Sequence, residues 1–178
     1  MAAPAQDSLA AGRAYQQQLL SLLGPDDPAE VAAATPSAVQ SLLKDAGSDL
    51  NRRPAAGEWS VLELVGHLVD AEIVMSGRYR WTISQEKPPL LGYDQDQWVA
   101  HLRHNEAQAA ELLAVFSALR EANLRLWRQS SAADRDRVAM HSERGPESYG
   151  LMFRMLAGHD RFHLNQMRDA LRAVRAAR

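Results

Sequence analysis

Two histidines stand four residues apart near the C-terminal end of the chain, in the segment GHDRFHLNQM. Helix positions i and i+4 project from one face about one turn apart, so His159 and His163 can direct two imidazole nitrogens at one ion. The same predicted face is apolar, with Met155 and Leu156 before the pair and Met167 after it. The pattern therefore indicates either a divalent metal site or two neutral core histidines that bond to other side chains.

A third histidine shares the apolar face of an earlier predicted helix. His67 lies in line with Leu64 and Ala71 in the segment WSVLELVGHLVDAEIVMSGRYR, so we expect its ring to face the interior as well. Helical bundles build metal sites from side chains on facing helices. If His67 meets His159 and His163, three neutral imidazoles with one open position would give a catalytic type of site for a divalent metal. Zinc or nickel is the expected ion, and iron, manganese and cobalt accept the same ligands.

Polar residues beside these histidines could assist such a site. Asp70 lies one turn after His67, and Gln166 lies three residues after His163. Either side chain could hydrogen-bond to a ligand from behind, as the partners of metal-bound histidines do. The preferred interpretation is that both are ordinary polar residues at the rim of the bundle.

The remaining histidines lack an apolar stripe that would direct them inward. His101 and His104 lie among polar residues at a loop–helix junction, so they are predicted on a solvated face. His141 precedes a glycine-containing irregular stretch and is predicted at the surface, although it could approach the mouth of a site. Arg78 or Arg80, in the segment SGRYR, could bind an acidic thiol cofactor, but exposed, solvated arginines are the preferred interpretation.

The letters HDRFH also admit two other metal-dependent interpretations. They read as H-D-x-x-H, one methylene short of the zinc-protease pattern H-E-x-x-H, but Asp169, the only acid downstream, is too close along the helix to be a third ligand. Consecutive histidine and aspartate ligands are typical of the all-helical His-Asp phosphohydrolases. Here His159 and Asp160 would project about 100° apart and His163 would have no role, so this alternative stays open as the lesser one.

The segments that carry these residues have helical periodicity, with glycine and proline mainly between them. Thr35 followed by Pro36 is a typical helix start, and Ser60 with Glu63 three residues later predicts a capping box. Long helices are predicted over residues 8–24, 35–47, 60–85, 104–129 and 147–175.

The connections are predicted to hold only short elements. Asp94 or Asp96 could begin a short helix through Trp98, SSAADRDR could add a turn of helix, and HSERGPES reads as irregular. No sustained apolar–polar alternation predicts a strand. The predicted fold class is therefore all-α: one domain over residues 1–178, a four-helix bundle in which the N-terminal helix joins three long helices.

Composition excludes several classes of function. The formal net charge is −2, with acids and bases interspersed, which gives no electrostatic signature for a nucleic-acid partner. Without an apolar run of about 18 residues or a secretory signal, we expect no membrane span, and we expect a cytoplasmic protein. The chain contains no cysteine, so disulfides, a cysteine nucleophile and a thiolate metal site are excluded, and any sulfur chemistry must come from a bound thiol.

Three segments of the chain carry a family resemblance: RPAAGEWSVLELVGHLVDAE, PPLLGYDQDQW and HSERGPESYGLMFRMLAGHDRFHLNQM. Together, in this order, they resemble the DinB-like superfamily. The resemblance implies a four-helix bundle, often a dimer, with a divalent metal on three histidines. Carried onto this chain, the ligands are His67, His159 and His163, in agreement with the helical-face argument. Known members include bacillithiol S-transferases and the mycothiol-dependent maleylpyruvate isomerase. The resemblance thus implies a homodimeric, metal-dependent transferase that uses a low-molecular-weight thiol on a small-molecule substrate.

Two other functions fit the same residues. A metal-dependent hydrolase would activate water and needs a general base, for which Asp70 and Glu72 are nearest in sequence. A non-catalytic metal-binding stress protein would use the ion to support a dimer. The transferase ranks first because of the family resemblance alone.

Overall fold

The computed structural model describes the backbone of residues 5–177 and the side chains of residues 9–177, so the two ends of the predicted domain lie outside the described residues. Within this range the helices are α1 (Ala5–Leu23), α2 (Pro28–Ala46), α3 (Val61–Ser84), α4 (Gln95–His101), α5 (Ala109–Gln129), α6 (Ala132–Asp136) and α7 (Tyr149–Ala176). The strands are β1 (Pro89–Leu90), β2 (Val138–His141) and β3 (Gly145–Ser148), and short 3-10 turns cover Gly47–Asp49 and His104–Glu106.

Four long helices enclose the main core, which confirms the predicted all-α bundle. α2 packs against α5 and α7, and α3 packs against the same two helices. The centre of the core includes Val39, Leu64, Leu68, Phe116 and Met167. α1 packs along α7, so α2 is the fourth member of this bundle, where we expected the N-terminal helix. None of the described helices combines the length and apolarity needed to cross a bilayer.

The start of α3 follows the capping signal in the sequence. The Ser60 side chain accepts a hydrogen bond from the Glu63 backbone N–H at 3.1 Å, and the Glu63 carboxylate accepts one from the Ser60 N–H at 2.8 Å. This reciprocal capping box satisfies two N–H groups that have no partner within the helix. The prediction is confirmed, and it places His67 in the second turn of α3.

The start of α2 was predicted in the wrong place. Asp27 caps the helix eight residues earlier than expected, because its Oδ1 accepts a hydrogen bond from the Ala29 N–H at 2.7 Å. Thr35 therefore lies inside the helix, buried, and its hydroxyl donates to the Asp160 carboxylate at 2.8 Å. A residue that looked like a helix cap connects α2 to α7 instead.

Pro36 is tolerated inside α2 because another residue supplies the missing hydrogen bond. Proline has no N–H, so the carbonyl of Ala32, four residues earlier, loses its helical partner. The guanidinium of Arg120 on α5 donates to that carbonyl at 3.0 Å. The proline thus leaves an acceptor that a neighbouring helix uses.

The stretch through HSERGPES, predicted to be irregular, forms a hairpin. β2 pairs antiparallel with β3, with His141 opposite Gly145, and β1 pairs parallel with β2. Gly145 closes the turn with a φ of 78°, in the left-handed region that favours glycine. Strands of two and four residues are too short for a visible alternation, so the sequence pattern missed them.

The other boundaries lie close to the predictions, with one exception. α3, α4, α6 and α7 are confirmed, with Asp94 as the cap of α4. α5 begins at Ala109 and not at about residue 104, because residues 104–106 form a separate 3-10 turn. Arg103 precedes that turn with a φ of 56°, which redirects the chain and turns His104 into the interior.

Candidate metal centre

Three histidine rings from two helices meet in the interior. The Nε2 atom of His159 lies 3.1 Å from the Nε2 of His67 and 3.1 Å from the Nε2 of His163. One nitrogen from each ring falls within 4.8 Å of the other two, and all three residues are buried. The structure thus brings together the three residues that the sequence pointed to, in a group that could hold a divalent metal ion.

The convergence follows from the helices. His159 and His163 stack on one face of α7, with buried Leu156 before them and Met167 after them. α3 packs on that face and presents His67 from its second turn. Because residues 61–72 of α3 are buried on every side, this helix has little freedom to rotate the ring away.

Burial keeps the three rings neutral. Burial first, and then the nearby His163 and His104, lower the pKa of His67 to about 3. Burial lowers the pKa of His163 to about 4, although the Gln166 hydrogen bond acts in the opposite direction. Burial and the other two rings hold the pKa of His159 well below its usual range. Neutral imidazole is the form that binds a metal, so no proton has to leave at neutral pH.

Gln166 fixes one of the rings from behind. Its Oε1 lies 2.9 Å from the Nδ1 of His163. With the carbonyl oxygen accepting, the proton sits on Nδ1, and the lone pair of Nε2 faces the other two histidines. Gln166 is partly buried and lines a groove, so it lies at the rim as predicted, but it also has the supporting role that the sequence left as the alternative.

Asp70 does not join the three-histidine group. One of its carboxylate oxygens lies 2.7 Å from the Nε2 of His104, and both residues are buried. His104, predicted on a solvated face, fits against Gly66, where any Cβ would overlap its ring. His101 is exposed as predicted, with its Nδ1 2.8 Å from a carbonyl of its own helix. The placement of His104 was missed because its buried partner lies 34 residues away in sequence.

A buried ion-pair network lies beside the histidines and joins four helices. Arg120 binds the Glu72 carboxylate at 2.5 Å and makes two hydrogen bonds to the Asp160 carboxylate. Asn123 donates to Glu72 at 2.6 Å, and Thr35 donates to Asp160. Burial alone would lower the pKa of Arg120, but the two carboxylates raise it above its usual value. This network ties α2, α3, α5 and α7 together.

The network decides two alternatives left open by the sequence. Asp160 is fully buried, and its carboxylate faces Arg120 on α5, so consecutive His159 and Asp160 ligands have no support. Glu72 is equally engaged, because one of its carboxylate oxygens accepts from Arg120 and the other accepts from Asn123. Arg120 could have been noticed, because it shares a helical face with Phe116 and Leu124, both of which are buried.

Two cavities flank the three rings. One, of about 400 Å³, lies between α1, α3, α7 and the β2–β3 turn. Its lining includes His159, Met75, Met152 and Arg78. The other is a more open groove of about 530 Å³ that reaches His163, Gln166 and Trp59. Trp59 packs beside the site, with its ring centroid 5.1 Å from that of His67.

Two residues predicted at the surface are buried near the first cavity. His141 is 3% exposed, and its Nδ1 accepts a hydrogen bond from the Glu143 N–H at 3.1 Å. Burial, followed by the nearby Arg144 and Arg78, lowers the pKa of His141 to about 4. Arg78 is 5% exposed, so the prediction of a solvated side chain was wrong. Arg80 is exposed as predicted.

Several known proteins are similar to this chain in sequence or in fold. A protein of Oceanobacillus iheyensis, named as an inferred metal-dependent hydrolase, is 30% identical over 128 residues, which cover 69% of this chain and 74% of the relative. A second protein of that organism with the same kind of name is 23% identical over 123 residues, 69% of this chain and 70% of the relative. YfiT from Bacillus subtilis, described as an inferred metal-dependent hydrolase with an unusual four-helix bundle topology, shares the fold with a TM-score of 0.76. It is 19% identical and covers 82% of this chain and 84% of its own.

The family model of the DinB superfamily matches residues 29–167. That range includes the three histidines and extends from the start of α2 into α7. By this match and by the sequence relatives, the chain belongs to the DinB superfamily.

Proposed function

We propose that His67, His159 and His163 bind a divalent metal ion through their Nε2 atoms and that the protein is a metal-dependent enzyme. The donor set fits such an ion. Zinc–nitrogen bonds of ~2.0–2.1 Å put the nitrogens of a tetrahedral site roughly 3.3 Å apart. The two Nε2 separations here are 3.1 Å, close to that spacing before any ion is considered.

The protonation pattern supports the same assignment. With Gln166 assigning the proton of His163 to Nδ1, at least one lone pair points at the neighbouring rings. That lone pair is available to a cation shared by the three rings.

The reaction that the geometry supports best is transfer of a low-molecular-weight thiol to an electrophilic small molecule. A divalent ion at this site would lower the pKa of a thiol or of water and make either one a nucleophile at neutral pH. The observation that favours the thiol is that both nearby carboxylates already have partners: Asp70 bonds to His104, and Glu72 bonds to Arg120 and Asn123. Neither is free to take a proton from attacking water.

In the proposed reaction the thiol loses its proton to solvent, its sulfur forms a bond to the electrophilic carbon, and the leaving group departs with the electron pair of the broken bond. The chain itself contributes no sulfur nucleophile, since it has no cysteine. Its side chains hold the rings neutral, and the cavity beside His159 gives a small molecule room next to the site.

A metal-dependent hydrolase is the second candidate, and the names of the relatives favour it. At a three-histidine site, a metal ion alone can bring the pKa of water near 7, so the engagement of Asp70 and Glu72 weakens this candidate without removing it.

Elemental analysis tests the site before any substrate is chosen. The purified protein should carry about one equivalent of a divalent metal per chain, and His67→Ala and His163→Ala should lose it. His101→Ala, which removes an exposed histidine, is the matched control and should keep the metal. Equal metal content in all four proteins would refute the proposed ligands.

A fluorogenic alkylating agent such as monobromobimane then tests the reaction. Its conjugation to bacillithiol, cysteine and coenzyme A should be accelerated by the metal-loaded protein and suppressed by a chelator. Chelator-sensitive turnover of esters, amides or phosphoesters without any thiol, together with no thiol conjugation, would assign the hydrolase instead. If chelation lowers only the melting temperature and neither activity is found, the site is structural.

A further inference from the structure

The cavity beside His159 has one feature that its apolar lining does not explain. Arg78 lines it and is 5% exposed, yet among the described residues its guanidinium forms no ion pair with a carboxylate. Among the described residues it donates one hydrogen bond from Nη2 to the Leu91 carbonyl at 2.5 Å and a long one from Nη1 to the Met75 sulfur at 3.8 Å. A buried charge is costly unless it is paired, so this arginine has donors to offer a partner that the described residues do not supply.

The neighbouring charges do not neutralise Arg78. Arg144 also lines the cavity, but Glu147 binds it through both carboxylate oxygens, at 2.5 and 3.0 Å. Burial, and next the charge of Arg144, lower the pKa of Arg78, and Glu147 opposes this only in part. Glu143 also lines the cavity, but among the described residues it forms no ion pair with Arg78, so the guanidinium keeps donors free for a ligand.

The distance along the helices gives the size of a suitable ligand. From Ala71 to Arg78 on α3, and from Met152 to His159 on α7, the cavity follows eight residues of each helix, which are seven steps along the axis. At about 1.5 Å of rise per residue this is roughly 10 Å. Met75, Met152 and other apolar side chains line the space between the arginine and the histidine. The volume of about 400 Å³ lies in the usual range for small-molecule sites.

We infer that this cavity binds a small carboxylate whose anionic end pairs with Arg78, whose apolar body lies along the methionines, and whose other end reaches His159. A planar carboxylate matches the donor geometry of a guanidinium. The inference rests on the proposed function only for the reaction at the histidines, because the pairing with Arg78 requires no metal.

Binding to the chelator-treated protein tests the pairing without any turnover. The probes are phenylbutyrate and phenylbutyramide, which have the same apolar body but differ in charge, and isothermal calorimetry gives both dissociation constants. The acid should bind about tenfold or more tighter, because a hydrogen bond to a charged group adds roughly 1.5–3 kcal/mol. Arg78→Met should reduce that ratio to within about twofold, and Arg78→Lys should retain part of it.

Arg80→Met is the matched control, since Arg80 is an exposed arginine on the same helix that does not line the cavity. It should keep the preference of the unmodified protein for the acid. Unfolding curves of each variant show whether loss of the hydrogen bond to Leu91 has altered the fold. If Arg78→Met does not fold, Arg78→Lys, which keeps a positive charge at this position, still tests the pairing. Equal binding of the acid and the amide, binding of neither, or an unchanged preference in Arg78→Met would overturn the inference.

The metal-loaded enzyme distinguishes the two sources of such a carboxylate. A higher KM for the thiol alone in Arg78→Met assigns the anion to the thiol, and a higher KM for the electrophile alone assigns it to the electrophile. The two proposals also fail separately. If the protein binds no metal but prefers the acid through Arg78, the proposed function is refuted and the carboxylate site stands. If it binds metal but shows no preference for the acid, the carboxylate site is refuted and the proposed function stands.

Discussion

Replacing Arg120 by methionine should strongly destabilise the bundle. Arg120 is 1% exposed, and it is the cation shared by the Glu72 and Asp160 carboxylates. Both carboxylates are fully buried. Methionine fills much of the same volume, so the main effect of Arg120→Met is to leave two buried negative charges close together without a counter-charge.

The expected cost is about 3–5 kcal/mol, the usual result of removing one partner from a buried ion pair. For a chain of this size each kcal/mol lowers the melting temperature by about 2–4 °C, so we expect a decrease of roughly 6–20 °C. The loss should also depend on pH. Burial already raises the pKa of Glu72, and Arg120 opposes that rise. Without the arginine, one carboxyl should stay protonated in the folded state at a pH where the unfolded chain has released that proton.

Urea unfolding of the metal-free protein at pH 5 and pH 8 measures both effects. A group whose pKa is raised by folding stabilises below that pKa and loses its contribution as pH rises through it. Arg120→Met should therefore lose more stability at pH 8 than at pH 5. Arg128→Met, which removes an exposed arginine 3.8 Å from Glu121, should change stability by less than about 0.5 kcal/mol at both pH values. A loss below about 1 kcal/mol, or one that is equal at the two pH values, would refute the charge argument.

Three further predictions follow from individual contacts. Gln166→Leu should weaken metal binding about 10- to 100-fold in chelator competition, because it removes the partner of a ligand ring, whereas the exposed Asn165→Leu should change it less than about twofold. His141 has a pKa of about 4 in the fold and ~6.5 in the unfolded chain, so the free energy of unfolding should decrease from pH 6.5 to pH 4, by up to about 1.4 kcal/mol per pH unit for this residue. His141→Asn should remove this contribution of His141 to the pH dependence. Identical pH profiles for the variant and the unmodified protein would contradict the lowered pKa of His141. Gly158→Ala should cost about 1–3 kcal/mol in thermal unfolding, because its Cβ would overlap the α1 backbone, whereas Gly77→Ala should be neutral or stabilising, since that Cβ meets only a tryptophan side chain at 3.2 Å.

The sequence was most informative where a short-range rule applies. The capping box at Ser60 and Glu63 depends on residues three apart, and it located the start of α3 correctly. The alignment of His159 with His163 depends on residues four apart, and it put both rings on one buried face. His67 could be assigned to an inner face for the same reason, although its meeting with the other two rings depended on how the helices pack.

The errors concern polar residues whose burial depends on how distant segments of the chain pack together. His104, His141 and Arg78 were predicted at the surface because no local pattern points them inward, and all three are buried. Thr35 was predicted as a cap because it precedes a proline, but its hydroxyl bonds to Asp160, 125 residues later. A polar side chain is buried when a partner meets it there, and a single sequence does not state which residues will meet.

The ion-pair network also explains how two helices can hold three rings so close together before any ion binds. The three rings contact one another only through Nε2 atoms at hydrogen-bond distance, 3.1 Å, and among the described residues the Nδ1 atoms of His67 and His159 have no partner. Something else must therefore hold the two helices in register. Glu72 lies five residues after His67 on α3, and Asp160 directly follows His159 on α7, and both bind the same guanidinium. The ordering of the rings is then completed during folding, so a metal ion would meet ligands that need almost no rearrangement, and less of its binding free energy would be lost to ordering them.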